Sequence, residues 1–360
     1  MAEQHKPRLM INGLNPNPKE GKMSRAMLED VLSSGQFEVI GSSLTGPDVP
    51  EERYKEISLI KPAEREKRIE RIKEKCFPFI SIDATLGKVA NDNADFYCRH
   101  GLPFVMLTTG GDRDALVQRV LNSEIPAVIG TNMCVALVSA MHNIEQDSLL
   151  HKGEMADCCI EISESHQQGK KDASGTGREF GGYFKTYGLP IDPAPVKAVT
   201  LKGEPIDMEI KIGPNSIFRI IRNPETQRKI GVPEEYLGGH GWHSYWLRPT
   251  SDKGIAAVAE FGRMLATKFF TPQNPALRGY DISGEYWFEM KAISPDKTVV
   301  ISTCEPEEGG LVLSHNLCGR KPYVRGTFDY AVPHAWKMMQ AMRPGDKGRV
   351  DSMMDAIKAA

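Results

Sequence analysis

The stretch RLMINGLNPNPKEGKMSRAMLEDVLSSG, residues 8–35, contains the pattern that decides the fold at the start of the chain. A short apolar run ends at Gly13 and predicts a strand. After Gly21, apolar residues recur at the spacing of a helix until Gly35, which predicts where that helix ends. The stretch therefore predicts a strand, a loop and a helix, in that order.

The segments that follow continue this alternation up to about residue 132. They are FEVIGSS (37–43, strand), EREKRIERIKEK (64–75, helix), FPFISIDAT (77–85, strand), ANDNADFYCRHG (90–101, helix), PFVMLTTGG (103–111, strand) and AVIGTN (127–132, strand). Strands that alternate with helices at this spacing predict an α/β fold with a doubly wound parallel sheet.

The pattern changes after residue 132. A helix is followed by the predicted strand CCIEISES (158–165) and by longer strands and loops, which predicts a second, α+β domain with a mixed sheet. Pro and Gly interrupt the short apolar runs of residues 245–310, so this part predicts little. The stretch YAVPHAWKMMQAM (330–342) has the period of a helix.

Composition excludes several classes of partner. The chain has 45 Lys and Arg against 47 Asp and Glu, so no net field favours nucleic acid or an anionic membrane. Its seven cysteines form no CxxC pair, which is typical of reduced thiols and argues against a disulfide framework. We find no signal peptide and no apolar run of membrane-spanning length. These patterns predict a cytoplasmic protein, or a plastid protein if a transit peptide has been removed.

A second stretch, ESHQQGKKDASGTGREF (164–180), contains the residues most suited to chemistry. If a strand precedes it and a helix follows, Ser174-Gly175-Thr176 begins that helix, where free N–H groups and the helix dipole favour a carboxylate or phosphate. Lys170 or Lys171 could supply a positive charge or a proton, and His166 could act as acid or base. The alternative is an ordinary helix cap beside solvated lysines.

These residues resemble a known family. The order E-x-H-x-x-x-K-x-D-A before S-G-T resembles the signature of the 4-hydroxy-tetrahydrodipicolinate reductase (dihydrodipicolinate reductase) family. The Gln after the histidine and the missing Pro before the serine resemble its plant-type branch. Three further segments are similar to that branch, namely GLPFVMLTTGGDRD (101–114), GVPEEYLGGHGWHSY (231–245) and SHNLCGRKPYVRGT (314–327).

The resemblance implies roles for several side chains within residues 164–180. His166 corresponds to the acid/base histidine and Lys170 to the catalytic, substrate-contacting lysine, because the spacing to the Asp-Ala-Ser-Gly-Thr block selects the first of the two lysines. Gly175 and Thr176 would hold a substrate carboxylate through their backbone N–H groups. Gln167 stands where bacterial relatives have a second substrate-contacting histidine, so that contact would be altered.

The resemblance also implies NADPH or NADH as cofactor. The family has a turn G-x-x-G-[KR]-M-G between its first strand and helix, because close approach to a pyrophosphate tolerates no Cβ. Gly13, Gly21, Lys22 and Met23 retain the pattern, but a Pro-bearing insertion separates the two glycines and Ser24 replaces the last one. The alternative interpretation is a plain strand-to-helix loop.

Further cofactor-binding positions are predicted at later strand ends. The second strand ends in hydroxyl residues instead of an acidic one, so NADPH is at least as plausible as NADH. The segment at residues 107–109 matches a nicotinamide-side Gly-Thr-Thr of the family, with Leu in place of Gly, although it could be only a strand-ending turn. The predicted positions are Ser42, Ser43, Leu107, Thr108, Thr109, Thr131, Asn132, Met133 and Arg320. Arg320 could equally form a structural salt bridge.

His240 and His243, in GGHGWHSYW, have a spacing that metal ligands can have. No Cys, Asp or Glu is suitably placed in the sequence to complete a ligand set, so we predict no metal site. The histidines are expected to have packing or pocket roles.

The resemblance implies the domain organisation as well. Residues 1–131 would form a Rossmann-like dinucleotide-binding domain, and residues 132–326 a domain that binds substrate and mediates oligomerisation. The C-terminal helix, within 327–360, would pack back on the first domain. We expect a homo-oligomer, a dimer or a tetramer, with cofactor and substrate meeting in the cleft between the domains.

The function implied is the NAD(P)H-dependent reduction of 4-hydroxy-tetrahydrodipicolinate, a small dicarboxylate, to tetrahydrodipicolinate in lysine (diaminopimelate) biosynthesis. The altered glycine turn keeps two alternatives open. One is a reductase of the same family that acts on a different cyclic imine or enamine carboxylate. The other is a non-catalytic homologue used as a binding module.

Overall fold

The structure, a computed structural model, describes residues 6–269, 286–293, 299–300 and 310–360. It divides into two compact units, one formed by Met1–Val138 with Tyr323–Ala360 and the other by Ser139–Pro322. The division therefore follows Val138, inside a helix, whereas the sequence placed it after residue 131. The interrupted stretch 245–310 lies in part outside the described residues.

Strands and helices alternate through the first part of the chain. The described strands are β1 (Arg8–Asn12), β2 (Glu38–Val39), β3 (Ser42–Leu44), β4 (Arg53–Tyr54), β5 (Ile57–Ile60), β6 (Ile80–Asp83), β7 (Phe104–Met106), β8 (Pro126–Ile129), β9 (Cys158–His166), β10 (Asp207–Gly213), β11 (Ser216–Ile221), β12 (His240–Pro249), β13 (Tyr286–Ile293), β14 (Val299–Val300), β15 (Leu311–Cys318) and β16 (Arg349–Ser352). The described helices are α1 (Lys22–Ser34), α2 (Arg65–Cys76), α3 (Ala90–Arg99), α4 (Arg113–Leu121), α5 (Val135–Leu150), α6 (Gly175–Thr186), α7 (Ala194–Lys197), α8 (Pro224–Lys229), α9 (Asp252–Phe269), α10 (Lys321–Arg325), α11 (Val332–Ala341) and α12 (Met353–Lys358).

The first unit is built on a parallel sheet with the strand order β16-β8-β7-β6-β1-β2. Successive side chains of a strand point to opposite faces. In β1, Leu9 and Ile11 pack in one buried cluster with residues of α1 and α11, whereas Met10 packs in another with residues of α2, α3 and α4. Helices therefore cover both faces, which confirms the predicted doubly wound fold.

The end of the chain belongs to this first unit. Val332, Ala335 and Met338 of α11 lie in the same buried cluster as Leu9 and Ile11. The last strand, β16, pairs in parallel with β8 at the edge of the sheet. The unit is therefore discontinuous in sequence.

The prediction of one strand over residues 37–43 was wrong. The chain leaves the parallel sheet after β2, and β3 pairs instead with β5 in a separate three-stranded sheet of order β3-β5-β4. The N–H of Ser42 donates to the carbonyl of Ile40 at 2.6 Å, which marks a tight turn around Gly41. A glycine inside an apolar run permits such a change of direction.

The second unit contains a mixed sheet of order β10-β11-β9-β12-β15-β13-β14, which confirms the predicted α+β fold. β9 runs parallel to β11 and antiparallel to β12. Phe180 and Phe184 of α6 are buried against this sheet, and the ring of Phe180 stacks on Tyr245 with centroids 4.4 Å apart. Helix α6 therefore has a fixed position over the central strands.

Among the described helices, none has the length and apolarity needed to cross a membrane.

Candidate active site

A buried ion pair lies beneath the predicted catalytic loop of the second unit. Glu164 and His166 are two residues apart on β9 and so share one face of the sheet. The Glu164 side chain is fully buried, and its two oxygens accept hydrogen bonds from Arg222 Nη2 and Nη1 at 2.8 and 3.0 Å. His166 Nδ1 lies 2.7 Å from the same carboxylate.

Arg222 also binds the loop that follows β9. Its guanidinium donates to the carbonyl oxygens of Lys170 at 3.3 Å and Asp172 at 3.1 Å, besides that of Ile221 at 2.8 Å. With the two bonds to Glu164, these contacts use the five N–H donors of the side chain. The loop that bears Lys170 is therefore fixed by one buried arginine, which the sequence analysis missed.

The charges of this group follow from its contacts. Burial alone would raise the pKa of Glu164, but its contacts with His166 and Arg222 outweigh burial and lower it to about 2. Burial lowers the pKa of His166 below its usual value, although Glu164 opposes the change. We therefore assign an ionised Glu164 that accepts the Nδ1–H of a neutral His166, which leaves Nε2 to bind or release a proton.

The structure distinguishes the two adjacent lysines. Lys170 is partly buried, its Nζ lies 2.8 Å from Asp172 Oδ1, and its charge helps to lower the pKa of His166. Lys171 is exposed. The loop thus places the ammonium of Lys170 within electrostatic reach of the imidazole, as a shared site requires.

Helix α6 begins beside this loop, as the sequence predicted. Ser174 is its N-cap, and the Ser174 hydroxyl oxygen accepts the N–H of Gly177 at 3.2 Å. The backbone N–H of Ser174 donates to Glu164 Oε1 at 3.3 Å. The first N–H groups of the helix, those of Gly175 and Thr176, have no acceptor within the helix and suit an anion.

The histidines considered as metal ligands make hydrogen bonds within the protein. His240 Nδ1 donates to the carbonyl of Tyr236 at 3.0 Å, so its Nε2 accepts from the Ser165 hydroxyl at 2.8 Å. Burial lowers the pKa of His240 to about 4. His243 Nε2 lies 2.6 Å from the Ser174 hydroxyl oxygen. Both histidines are therefore held by hydrogen bonds within the second unit, and a pocket role for them stays a prediction.

Gln167 lies in the turn that leaves β9, where its carbonyl accepts the N–H of Lys170 at 2.9 Å. Gln227, which was not predicted as a site residue, has a fully buried amide that donates to the carbonyl of His166 at 2.7 Å. Its signal was weak, because Gln227 belongs to a short polar helix, α8.

In the first unit, the lengthened glycine turn keeps the close packing of a dinucleotide-binding turn. Gly13 has φ +90°, and a Cβ there would lie 2.6 Å from the carbonyl oxygen of Ala84. Gly21 has φ +56°, and a Cβ there would lie 2.8 Å from the N of Asn15. Neither position accepts a larger residue without movement, and α1 begins directly after Gly21. These features fit a pyrophosphate at the helix N-terminus.

Ser24, which stands in place of the last glycine of the turn, is held by hydrogen bonds to two strand ends. Its side chain is fully buried, and the hydroxyl donates to the carbonyl of Asn12 at 3.0 Å or of Ala84 at 3.2 Å. The serine therefore links α1 to the ends of β1 and β6. Lys22 is exposed in the first turn of α1, and Met23 packs against the core.

The inserted residues form a loop held by Arg25. Its guanidinium donates to the carbonyl oxygens of Asn15 at 3.3 Å, Asn17 at 2.8 Å and Pro18 at 2.7 Å. Arg25 projects from the first turns of α1. The insertion is thus tied to the helix that begins at Gly21.

Three of the predicted cofactor-binding residues, Ser43, Thr108 and Met133, have side chains that are buried inside the unit. The Ser43 hydroxyl lies 3.4 Å from the N of Leu14, and Met133 belongs to the apolar core. The Thr108 hydroxyl donates to the buried carboxylate of Asp83. A cofactor contact at these three positions stays a prediction, and it would be made by backbone atoms.

The other predicted positions keep accessible surface. Thr109 and Thr131 are exposed, whereas Ser42, Leu107 and Asn132 are partly exposed. Arg320 lies in the second unit after β15, and a Cβ on Gly239 would come within 3.3 Å of its Nη2. The roles of these residues stay predictions.

Comparisons with known proteins point to one group of enzymes. The chain is 29% identical over 354 residues to a protein of Arabidopsis thaliana named 4-hydroxy-tetrahydrodipicolinate reductase 2, chloroplastic, with 97% of this chain and 77% of the relative covered. It is 26% identical over 347 residues to a protein of Oryza sativa subsp. japonica named probable 4-hydroxy-tetrahydrodipicolinate reductase 1, chloroplastic, with 95% and 77% covered. No protein-family profile matches the chain.

Among solved structures, the chain is similar to a dipicolinate-bound dihydrodipicolinate reductase from Paenisporosarcina sp. TG-14. The identity is 14%, the TM-score is 0.47, and 96% of this chain and 97% of the other are covered.

Proposed function

The chain belongs to the plant-type 4-hydroxy-tetrahydrodipicolinate reductases, and from this premise we propose that it reduces 4-hydroxy-tetrahydrodipicolinate to tetrahydrodipicolinate with NADPH or NADH. This reaction is a step of lysine (diaminopimelate) biosynthesis. The observation that carries the proposal is the Arg222–Glu164 ion pair, which holds the acid/base histidine, the lysine loop and the start of α6 in one arrangement.

The substrate side of the reaction uses two kinds of anion contact. The N–H groups of Gly175 and Thr176 bind a carboxylate of the substrate at the positive end of α6. Lys170 adds a full positive charge on the same side of the loop. Gln167, which begins that loop, contributes an amide where a histidine would supply an imidazole.

Proton transfer is assigned to His166. Glu164 accepts the Nδ1–H, so the imidazole presents Nε2 toward the substrate and exchanges its proton there. The ionised carboxylate stabilises the imidazolium form that must precede proton donation. Lys170 raises the acidity of that form, because its charge lowers the pKa of His166.

Bound NAD(P)H supplies the hydride. The residues proposed to hold it belong to the first unit, and they lie either in the glycine turn or at strand ends with accessible surface. They are Gly13, Gly21, Lys22, Ser42, Leu107, Thr109, Thr131 and Asn132.

The sheet of the second unit suits self-association. Along β12, the partly buried Trp242, Ser244 and Trp246 alternate with the buried His243 and Tyr245. Partly exposed tryptophans on a sheet face are typical of protein interfaces. We infer a homo-oligomer formed through this face, and light scattering of the wild type and of Trp246→Glu tests it, since the variant should dissociate.

The state of the thiols and the location of the relatives support a proposal for where the protein acts. The six described cysteines form no disulfide, and the relatives named above are chloroplastic proteins. We infer a reducing compartment, the cytoplasm or the plastid.

The test is an assay of NADPH and NADH oxidation with enzymatically generated 4-hydroxy-tetrahydrodipicolinate and with a panel of other cyclic imine carboxylates. The proposal expects the highest kcat/KM with the first compound. A higher value with another imine would identify the alternative reductase. If nucleotide raises the Tm while no compound is reduced, the chain is a binding module.

A further inference from the structure

His243 is held rigidly between the acid/base histidine and the start of α6. Its ring stacks on His315 with centroids 4.6 Å apart and an interplanar angle of 25°. The rings of His243 and His166 are nearly perpendicular with centroids 5.3 Å apart, and His243 Nε2 lies 2.6 Å from the Ser174 hydroxyl oxygen. The side chain is 3% exposed. Packing on several sides leaves the ring one position.

The ring hydrogen of His243 can be assigned from its partners. His243 Nδ1 is buried and has no hydrogen-bond partner among the described residues. A buried N–H without an acceptor is rarer in proteins than an acceptor without a donor. Burial lowers the pKa of His243 well below its usual value, so the ring is neutral and carries one N–H. That hydrogen therefore belongs on Nε2, where it donates to Ser174.

This assignment determines the direction of the Ser174 hydroxyl. The oxygen accepts the N–H of Gly177 at 3.2 Å and the Nε2–H of His243 at 2.6 Å. A hydroxyl oxygen has two acceptor sites and one hydrogen. With both sites occupied, the hydrogen is left for a third partner next to the N–H groups of Gly175 and Thr176.

We propose that His243 is a positioning residue that, by donating to Ser174, directs the serine hydroxyl hydrogen to the substrate carboxylate bound at the start of α6. The inference rests on the proposed function for the identity of that carboxylate. The Ser174 hydroxyl would then be a side-chain donor beside the two backbone N–H donors. Its direction would be determined by His243 of the neighbouring strand, β12. The substrate itself makes no contact with His243.

The first test is a double-mutant cycle with His243→Phe and Ser174→Ala, read out as the Kd of pyridine-2,6-dicarboxylate for the protein saturated with NADPH. Phe keeps the stacked ring but removes the donor. Each single variant should raise Kd about tenfold, as the loss of one hydrogen bond to a charged group predicts, with kcat changed less than KM. The double variant should bind like Ser174→Ala alone, since both changes remove the same hydrogen bond. His243→Gln, which retains an N–H donor, should recover part of the affinity.

Additive losses, or an unchanged Kd in a folded His243→Phe, would overturn the inference. The second test is ¹⁵N NMR of labelled histidine in the protein without dicarboxylate, where His243 should carry its hydrogen on Nε2. A hydrogen on Nδ1 while the dicarboxylate still binds would refute the role of His243 and leave the proposed function intact. A wild-type protein that binds no dicarboxylate would refute the proposed function and this role of Ser174 with it.

Discussion

Arg222 and Glu164 form a bidentate ion pair in the interior of the second unit, with N–O distances of 2.8 and 3.0 Å, although they are 58 residues apart in sequence. Neither side chain has solvent-accessible surface. Two buried charges require partners at every donor and acceptor, and here the remaining donors of Arg222 bind the catalytic loop. The ion pair therefore couples the stability of the unit to the geometry of the site.

Glu164→Gln should destabilise the protein by about 3–5 kcal/mol at pH 7, because it leaves the Arg222 charge buried without its carboxylate. The effect depends on pH. The pKa of Glu164 is lowered from 4.5 to about 2 in the folded state, so its stabilisation is complete above about pH 5 and is lost as the pH falls toward 2. Urea unfolding at pH 7 and at pH 3 should show a smaller difference between wild type and variant at the lower pH. An equal difference at both values would contradict the assigned charge, and Glu235→Gln, at an exposed position, is the control.

Thr108 and its neighbour Thr109 should respond differently to replacement by valine. Thr108→Val removes a donor from the buried Asp83 carboxylate and an acceptor from the Thr85 N–H, and should lower stability by about 1–3 kcal/mol. Thr109→Val, at an exposed position, should change stability by less than about 0.5 kcal/mol. Thermal unfolding measures both. Equal stability of the two variants would show that Thr108 does not hold this strand end.

Arg25→Ala should weaken nucleotide binding while the fold is kept. The variant frees the inserted loop from its three carbonyl contacts. Ordering that loop on binding then costs on the order of 1 kcal/mol, which raises the Kd for nucleotide about fivefold. Calorimetric titration with NADPH gives the Kd. Arg53→Ala, which removes only an exposed ion pair with Glu56, is the matched control. The same Kd in both variants would mean that the loop does not influence the nucleotide site.

The catalytic loop could be predicted because its residues are close in sequence. Strand β9, the Ser174 cap and the start of α6 follow one another directly, so the positions of His166 and Lys170 could be predicted from local patterns. Glu164 was visible in the motif, but its role depends on Arg222, which comes from another strand end. An arginine directly after an apolar strand, as Arg222 is after β11, gives no sequence signal of five hydrogen bonds.

The burial of residues on the cofactor side could not be predicted from the sequence. Ser43 and Thr108 are hydroxyl residues near strand ends, where a ligand contact is the usual expectation, yet both face inward. Which face of a strand end is covered depends on elements far along the chain, such as the separate sheet that begins after Gly41. Local sequence patterns contain no information about which elements cover a strand end.

The most direct test of the proposed reaction compares Lys170→Ala with Lys171→Ala. The lysines are adjacent, but only Lys170 is partly buried and electrostatically coupled to His166. With 4-hydroxy-tetrahydrodipicolinate and NADPH, kcat should fall on the order of 10²–10⁴-fold for Lys170→Ala, the range for loss of an acid–base group, and change little for Lys171→Ala. Equal losses in the two variants, both folded and both binding nucleotide, would contradict the assignment of this loop as the catalytic one.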